Sequence, residues 1–103
     1  MTDLEKFARQ RKIFVQYEHN GLMHYVSGRE AQALLALVIK NKQGLTHIDF
    51  QLNFRGGYRL GAYIHLLRKV LNIETVKHKT GDGIRFATYY LRDKLKIKKV
   101  GLA

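Results

Sequence analysis

The sequence contains no cysteine and no long hydrophobic run, and its acidic residues are few. Without cysteine there are no disulfides, no cysteine-containing zinc sites and no thiol catalysis, so packing alone must hold the fold together. The first twelve residues are charged throughout, unlike a secretory signal, and the longest apolar stretch lies within residues 31–39, far too short for a bilayer. We therefore expect a cytoplasmic protein that makes no use of a membrane.

Motifs for catalysis and cofactor binding are also missing. The five histidines are scattered through different parts of the chain, without the paired spacing of metal ligands. No Walker loop, nucleophile elbow or dinucleotide fingerprint occurs. We expect no catalytic residue, no metal and no cofactor, and therefore a protein that is not an enzyme.

The chain does have an excess of positive charge, and the excess is concentrated in its second half. Among 103 residues, 19 are Lys or Arg and 8 are Asp or Glu, which gives a formal net charge of +11. Residues 1–52 hold seven basic and five acidic residues, net +2, whereas residues 53–103 hold twelve and three, net +9. Each Lys or Arg set against a phosphate releases condensed counterions. Charge alone therefore favours nucleic acid as partner, with an acidic protein or a membrane surface as alternatives.

The N-terminal part of the chain predicts a short helix followed by a β-hairpin. With 46% apolar residues, there is enough hydrophobic side chain for the core of one small domain. Thr2 and Glu5 have capping-box spacing at the start of a helix over residues 3–11. Residues 12–18 and 22–27 favour two strands joined by an Asn-Gly turn.

A buried helix is predicted over residues 28–41. Ser27 and Glu30 have the capping-box spacing at its start, and Gly44 is expected to cap its end. Apolar residues recur every three or four positions, as on one buried helix face. They are Ala31, Leu34, Leu35, Val38 and Ile39.

Two further helices follow, separated by a glycine-containing turn. Thr46, three residues before Asp49, predicts a short helix that ends near Leu52. Residues 53–57 interrupt it, and the next helix is expected over residues 58–71. Its predicted buried face comprises Leu60, Ile64, Leu67 and Leu71.

The remaining residues predict a second hairpin and a basic tail. Residues 73–79 and 84–91 favour strands, joined by a turn that contains Asp-Gly. Residues 92–103 are rich in lysine and form either a short terminal strand or a flexible arm. We therefore divide the chain into one domain over residues 1–91 and a basic C-terminal tail over residues 92–103.

This order of elements is that of a winged helix-turn-helix. A short helix, a tight turn, a longer helix and a β-hairpin follow the first core helix, and in such folds the third helix enters the major groove while the hairpin, or wing, lies on neighbouring backbone. The fold class expected is α+β, a winged helix-turn-helix with an additional N-terminal β-hairpin and a short N-terminal helix.

Several local runs strengthen this expectation by resemblance. They are Ser27-Gly28-Arg29-Glu30-Ala31, Gly44-Leu45-Thr46-His47-Ile48-Asp49, and Arg59-Leu60-Gly61-Ala62-Tyr63-Ile64-His65-Leu66-Leu67-Arg68 followed by Ile73-Glu74-Thr75. Over roughly residues 12–91 the chain resembles the small winged helix domain proteins of proteobacteria and their phages. The resemblance implies DNA binding. We expect the protein to bind double-stranded DNA on the nucleoid, in transcriptional control or in a DNA-packaging or other phage-related accessory task.

The solvent side of the third predicted helix supplies the first candidate DNA contacts. When Leu60 is placed at the centre of the buried face, the residues opposite or beside it on the helical wheel are small or polar. Those expected to face DNA are Tyr58, Arg59, His65 and Lys69. Arg59 is the best candidate for a bidentate guanine contact, because recognition helices usually contact bases near their N-terminus.

The turn before this helix and the start of the preceding helix supply further candidates. Arg55 lies beside Gly56 and Gly57, where free backbone N–H groups at a helix start are expected to bind a phosphate. Thr46 and His47 occupy a common backbone-contacting position, although simple N-capping by Thr46 is the favoured interpretation.

Basic residues of the wing and tail complete the set. Lys77, Lys79 and Arg85 flank the turn of the second hairpin and are expected to contact phosphates. The tail lysines are expected to add affinity without specificity. They are Lys94, Lys96, Lys98 and Lys99.

Three alternatives remain open at the level of sequence. One is a basic module that binds an acidic host protein, and another is an RNA-binding protein. The sequence also leaves open whether the protein forms a homodimer. The dimer interface would then be formed by the N-terminal helix and hairpin or by the tail. The tyrosines are interpreted as packing residues, with a stacking platform for single strands as the less favoured function.

Overall fold

The computed structural model describes residues 3–103, which form an α+β fold. The α-helices are α1 (Asp3–Ala8), α2 (Gly28–Lys40), α3 (His47–Leu52) and α4 (Leu60–Leu67), with a 3₁₀ turn at Asn41–Gln43. The strands are β1 (Ile13–His19), β2 (Leu22–Ser27), β3 (Leu45–Thr46), β4 (Ile73–Lys79), β5 (Arg85–Leu91) and β6 (Lys96–Leu102). The predicted fold class is confirmed, including the N-terminal helix and hairpin. No helix within residues 3–103 has both the length and the apolar character needed to cross a membrane.

The strands form two antiparallel sheets of three strands each. Sheet 1 has the order β2-β1-β6, and sheet 2 has the order β3-β5-β4, in which β4 and β5 are the predicted wing. The wing turn is closed by the amide of Thr80, which bonds to the carbonyl of Ile84 at 2.8 Å, and by Gly83 at a φ of +88°.

Of the two alternatives for the last residues, the structure has the strand. Ile97 lies opposite Tyr17 and Val100 opposite Val15, so both pack toward the core. Apolar residues three positions apart do not share a face of a regular strand. A β-bulge opposite Gln16 and Tyr17 inserts one extra residue into β6, so Ile97 and Val100 both face the core. The spacing of apolar residues in the sequence did not reveal this bulge.

Helix α2 is the centre of the core. It packs against sheet 1 on one side and against α4 on the other, so all residues from Ala31 to Leu37 are buried. The predicted single apolar face is therefore too narrow, because a helix covered on both sides buries its whole circumference. The burial includes one polar side chain, Gln32, at 0% exposure.

The predicted helix caps differ in outcome. Thr46 caps α3 as expected, because its hydroxyl oxygen accepts from the amide of Asp49 at 3.1 Å. The capping box at Ser27 is wrong, since Ser27 makes no side-chain cap bond and Gly28 turns the chain at a φ of +68°. The predicted Thr2 cap lies outside the described residues, and α1 ends at Ala8, before the predicted residue 11.

Helix α4 is shorter than the helix predicted over residues 58–71. Gly57 has a φ of +80° and Arg59 has a ψ of 32°, so regular helical backbone begins only at Leu60. After Leu67 the chain closes in tighter turns, in which the amides of Lys69 and Val70 bond three residues back, before the Leu71 amide bonds four residues back to Leu67. The predicted buried face is confirmed, with exposure of 2% or less at Leu60, Ile64, Leu67 and Leu71.

Candidate nucleic-acid interface

The turn before α4 is anchored by a buried glycine. Gly56 is buried against Phe50, and a Cβ at this position would come closer than 3.0 Å to the Phe50 ring. The amide of Gly56 donates to the carbonyl of Phe50 at 2.7 Å. The predicted phosphate site is therefore wrong in this respect, because the Gly56 N–H is already bonded inside the protein. Arg55 has a φ of +54° and an exposed side chain, which remains available.

Two side chains of α2 hold the same turn, and neither is among the site residues predicted from the sequence. The Gln32 amide donates to the carbonyls of Ala8 at 2.8 Å and Phe54 at 2.5 Å. Arg29 donates to the Gln32 side-chain oxygen at 2.9 Å and to the carbonyl of Arg55 at 2.7 Å. The signal that marked this network is a single amide side chain inside an otherwise apolar helical stretch.

The solvent side of α4 is lined by small and polar residues. Ala62 and His65 are exposed on the helix, Arg59 is exposed at its N-cap, and Lys69 is exposed just after its end. Tyr58 is 88% exposed but precedes the helix, so its position on the predicted helical wheel is wrong. These residues therefore lie along the solvent side of α4, from just before its N-terminus to just after its C-terminus.

One face of the wing continues this surface. Thr75 pairs with Tyr89 and Lys79 pairs with Arg85, so these four side chains share a face of the hairpin. A Cβ on Gly61 would lie 3.8 Å from the Tyr89 hydroxyl, which puts that face on the side of α4. The basic residues on this face are Lys77, Lys79 and Arg85. The wing cations therefore lie on the side of the hairpin that α4 occupies.

Arg68 joins α4 to the wing. Its guanidinium donates to the carbonyl of Ile73 at 3.2 Å and to the hydroxyl of Thr75. Arg68 is not among the side chains of residues 3–103 that lie within 4.0 Å of a carboxylate. Glu74 pairs instead with Arg92 at 2.6 Å. Arg68 therefore connects the C-terminal end of α4 to the start of β4, the first strand of the wing.

A comparison with protein families agrees with this geometry. A family described as winged helix domain matches residues 23–101, which is most of the chain. The chain belongs to this winged helix family. The match starts inside β2 and ends inside β6, so it includes the last strand as well as the wing. No curated protein and no solved structure matches the chain.

Several cations of this winged helix surface form no ion pair with a carboxylate of residues 3–103. Within residues 3–103, Lys40, Arg92 and Lys98 form ion pairs with carboxylates at 4.0 Å or less, and the His19 ring nitrogen lies 3.1 Å from the Asp93 carboxylate. The surface cations without a carboxylate at that distance in the same part of the chain are Arg55, Arg59, Lys69, Lys77, Lys79 and Arg85.

Two carboxyl groups near this surface have shifted pKa values. Asp82 at the wing tip accepts from the Thr80 hydroxyl, which lowers the pKa of its carboxyl. Glu30 lies close enough to Lys69 to interact with it electrostatically. Burial raises the pKa of the Glu30 carboxyl, and Lys69 partly offsets that rise. The Glu30 carboxyl in turn adds to the effect of burial in raising the pKa of Tyr17.

The lysines expected in the tail lie elsewhere on the molecule. Lys96, Lys98 and Lys99 belong to β6 of sheet 1, and Lys94 precedes that strand. Helix α2 separates sheet 1 from α4. The predicted site residues thus fall into two groups. We call the larger group the α4–wing surface, which comprises Arg55, Tyr58, Arg59, His65, Lys69, Lys77, Lys79 and Arg85.

Proposed function

We propose that this winged helix protein binds double-stranded DNA through its α4–wing surface and acts as a small transcriptional regulator or phage-related accessory protein. The family assignment supports the proposal, because the fold is compatible with DNA binding. The observation that carries it is the pair Lys79 and Arg85. These like charges lie directly opposite each other across the wing, with no carboxylate of residues 3–103 within 4.0 Å.

Such a pair is unfavourable in the free protein and becomes favourable beside phosphate. Like charges directly opposite on neighbouring strands destabilise a hairpin. A phosphate between or beside them attracts both cations, so the net electrostatic interaction becomes favourable, and its binding releases counterions. We infer that the wing contacts the DNA backbone, which positions the protein without reading sequence.

Sequence preference is assigned to the start of α4. Arg59 is at its N-cap, where recognition helices usually meet base edges, and its guanidinium suits the O6 and N7 atoms of guanine. Gly61 and Ala62 are small and exposed, so the helix backbone has room to approach a groove. The protein is proposed to act by binding alone, without catalysis, in the cytoplasm and on the nucleoid.

The test compares two doubly neutralised variants in duplex binding. Fluorescence anisotropy is measured with a labelled random duplex and with a duplex carrying the native promoter, across a salt series. The variant Lys79→Gln with Arg85→Gln removes two wing cations, and Lys96→Gln with Lys99→Gln removes two cations of sheet 1 as the matched control. We expect the wing variant to lose about two units of the log–log salt slope, at roughly 0.9 per phosphate contact, and the control to keep the wild-type slope.

Two results would count against the proposal. Equal losses in both double variants would show that binding follows total charge and not the α4–wing surface. Absence of duplex binding near physiological salt, with the fold intact by circular dichroism, would remove DNA as the ligand. Arg59→Gln adds a test of specificity, since it should reduce the preference between the two duplexes more than the affinity for the random one.

An acidic protein partner is the second candidate function. It is favoured by the exposed Leu66 and Val70, 43% and 45% exposed, which lie one helical turn apart among the cations of this surface. Leu66→Gln separates the two functions, because it should weaken a protein contact while leaving the phosphate contacts of the wing intact.

A further inference from the structure

The outer face of sheet 1, which points away from α2, has an exposed aromatic side chain. Tyr25 on β2 is 60% exposed, and its ring stacks on Phe14 of β1 with centroids 5.8 Å apart and planes 19° apart. Phe14 is in turn seated over Gly101, where a Cβ would come closer than 3.0 Å to the ring. One side of the Tyr25 ring is therefore backed by packed protein, while much of the residue is open to solvent.

A polar and a basic side chain continue the same row across the sheet. Gln16 lies directly opposite Tyr25 on one neighbour and Lys99 on the other, so the row runs across all three strands. The Lys99 ammonium lies 6.0 Å from the centre of the Phe14 ring. An aromatic ring, an amide and an ammonium thus follow one another at the spacing of adjacent strands, about 5 Å.

The charge around this row is positive. Lys96 and Lys98 are exposed beside Lys99 on β6, at the edge of the sheet. Glu18 is the acidic residue of β1, and it already pairs with Lys98 at 3.5 Å. The face therefore combines an open aromatic ring with a strip of lysines.

We propose that the outer face of sheet 1 binds single-stranded DNA. An unpaired base stacks on the open side of Tyr25, Gln16 bonds to the edge of that base, and the lysines of β6 contact the phosphates. Such a site selects single strands, because the base faces of a duplex are hidden by stacking and pairing. Charge complementarity favours a polyanion over an apolar protein surface here.

This inference is independent of duplex binding, because α2 lies between the two surfaces. Only the choice of DNA over RNA rests on the proposed function. A protein with both surfaces binds double-stranded DNA on one side and single-stranded DNA on the other.

The test uses a fluorescein-labelled twelve-nucleotide oligothymidylate and measures anisotropy at about 50 and 150 mM salt. Tyr25→Val removes the stacking ring with a residue that favours strands. Tyr58→Val is the matched control, because it removes a tyrosine that is even more exposed but belongs to the α4–wing surface. We expect Tyr25→Val to weaken oligonucleotide binding by about five- to a hundredfold and Tyr58→Val to leave it within about twofold.

A second pair of variants tests the phosphate contacts. Lys99→Gln should weaken oligothymidylate binding and leave duplex binding unchanged, whereas Lys79→Gln should do the reverse. Thermal unfolding of each variant confirms that it is folded. This reciprocal pattern distinguishes the two surfaces even if one of them fails its own test.

Four results would overturn the inference. They are no oligothymidylate binding by a protein that binds duplex, equal losses in Tyr25→Val and Tyr58→Val, tighter binding of an oligouridylate than of the oligothymidylate, and a dimeric wild type that Tyr25→Val converts to a monomer. The third would reassign the face to RNA, and the fourth would make it a contact between copies of the chain. Loss of duplex binding alone would overturn only the proposed function.

Discussion

The side-chain amide of Gln32 donates to the carbonyl of Phe54, and this bond ties the central helix to the turn that precedes α4. The same amide donates to the carbonyl of Ala8 at the end of α1. One fully buried side chain therefore joins α1, α2 and the start of the candidate recognition helix. Since both acceptors are backbone carbonyls, these two bonds depend on the side chain at residue 32 and not on the side chains of Ala8 and Phe54.

Replacement of Gln32 by leucine should be strongly destabilising although it makes the core more apolar. Gln32→Leu leaves the carbonyls of Ala8 and Phe54 without a donor, and we expect a loss of about 2 to 4 kcal/mol in the free energy of unfolding. Urea denaturation measures it. Gln43→Leu, the same change at an exposed position of the 3₁₀ turn, is the control and should alter stability by less than about 0.5 kcal/mol. Similar losses in both variants would show that the network is not responsible.

A methyl group at Gly56 should disturb the turn before α4. Gly56→Ala places a Cβ against the Phe50 ring, closer than 3.0 Å, and overpacking of this kind costs about 1 to 3 kcal/mol. Gly81→Ala is the control, because a Cβ at the wing tip has nothing within 4 Å. Urea denaturation should show a lower midpoint for the first variant alone. An unchanged midpoint for Gly56→Ala would mean that Phe50 moves aside without cost.

Removal of the Arg68 guanidinium should loosen the wing. Arg68→Gln loses the bonds to Ile73 and Thr75, and we expect about 1 kcal/mol less stability together with faster amide hydrogen exchange in the first half of β4. Arg92→Gln is the control, because its ion pair with Glu74 is about half exposed and contributes little. If exchange in β4 rises equally in both variants, Arg68 has no special role in the joint.

The stability of the protein should depend on pH through Glu30. Burial raises the pKa of this carboxyl, so the folded protein holds its proton more tightly than the unfolded chain. Stability from this group is therefore complete below its ordinary pKa of 4.5 and decreases as the pH rises through the raised value. Glu30→Gln removes that decrease. Thermal unfolding is measured for both proteins at about pH 4 and pH 7. The unfolding temperature of the variant relative to that of the wild type should be higher at pH 7 than at pH 4, and an equal difference at both pH values would contradict the assignment.

Much of the fold could be predicted from local patterns, and the reason differs by element. The β-hairpins follow from extended residues around Asn-Gly and Asp-Gly turns, and the cap of α3 follows from a threonine three residues before an aspartate. The buried face of α4 follows from leucines and an isoleucine at helical spacing. These signals act over a few residues, so a sequence contains them directly.

The candidate site was predicted less completely. The exposure of Arg59, His65 and Lys69 follows from helical spacing, and the shared face of Lys79 and Arg85 follows from their alternation around the wing turn. The roles of Arg29, Gln32 and Arg68 could not be predicted, because their partners are backbone atoms of other elements. Nor could the Gly56 N–H be recognised as already bonded.

The sequence by itself determined the order of the elements, the winged helix class and the excess of positive charge, because each depends on neighbouring residues or on composition. Only the tertiary structure decided where that charge lies. The pairing of β6 with β1 removes the last lysines from the α4–wing surface and places them beside Phe14 and Tyr25. That pairing depends on a β-bulge and on a strand from the other end of the chain, and contacts between such distant segments form only when the chain is folded.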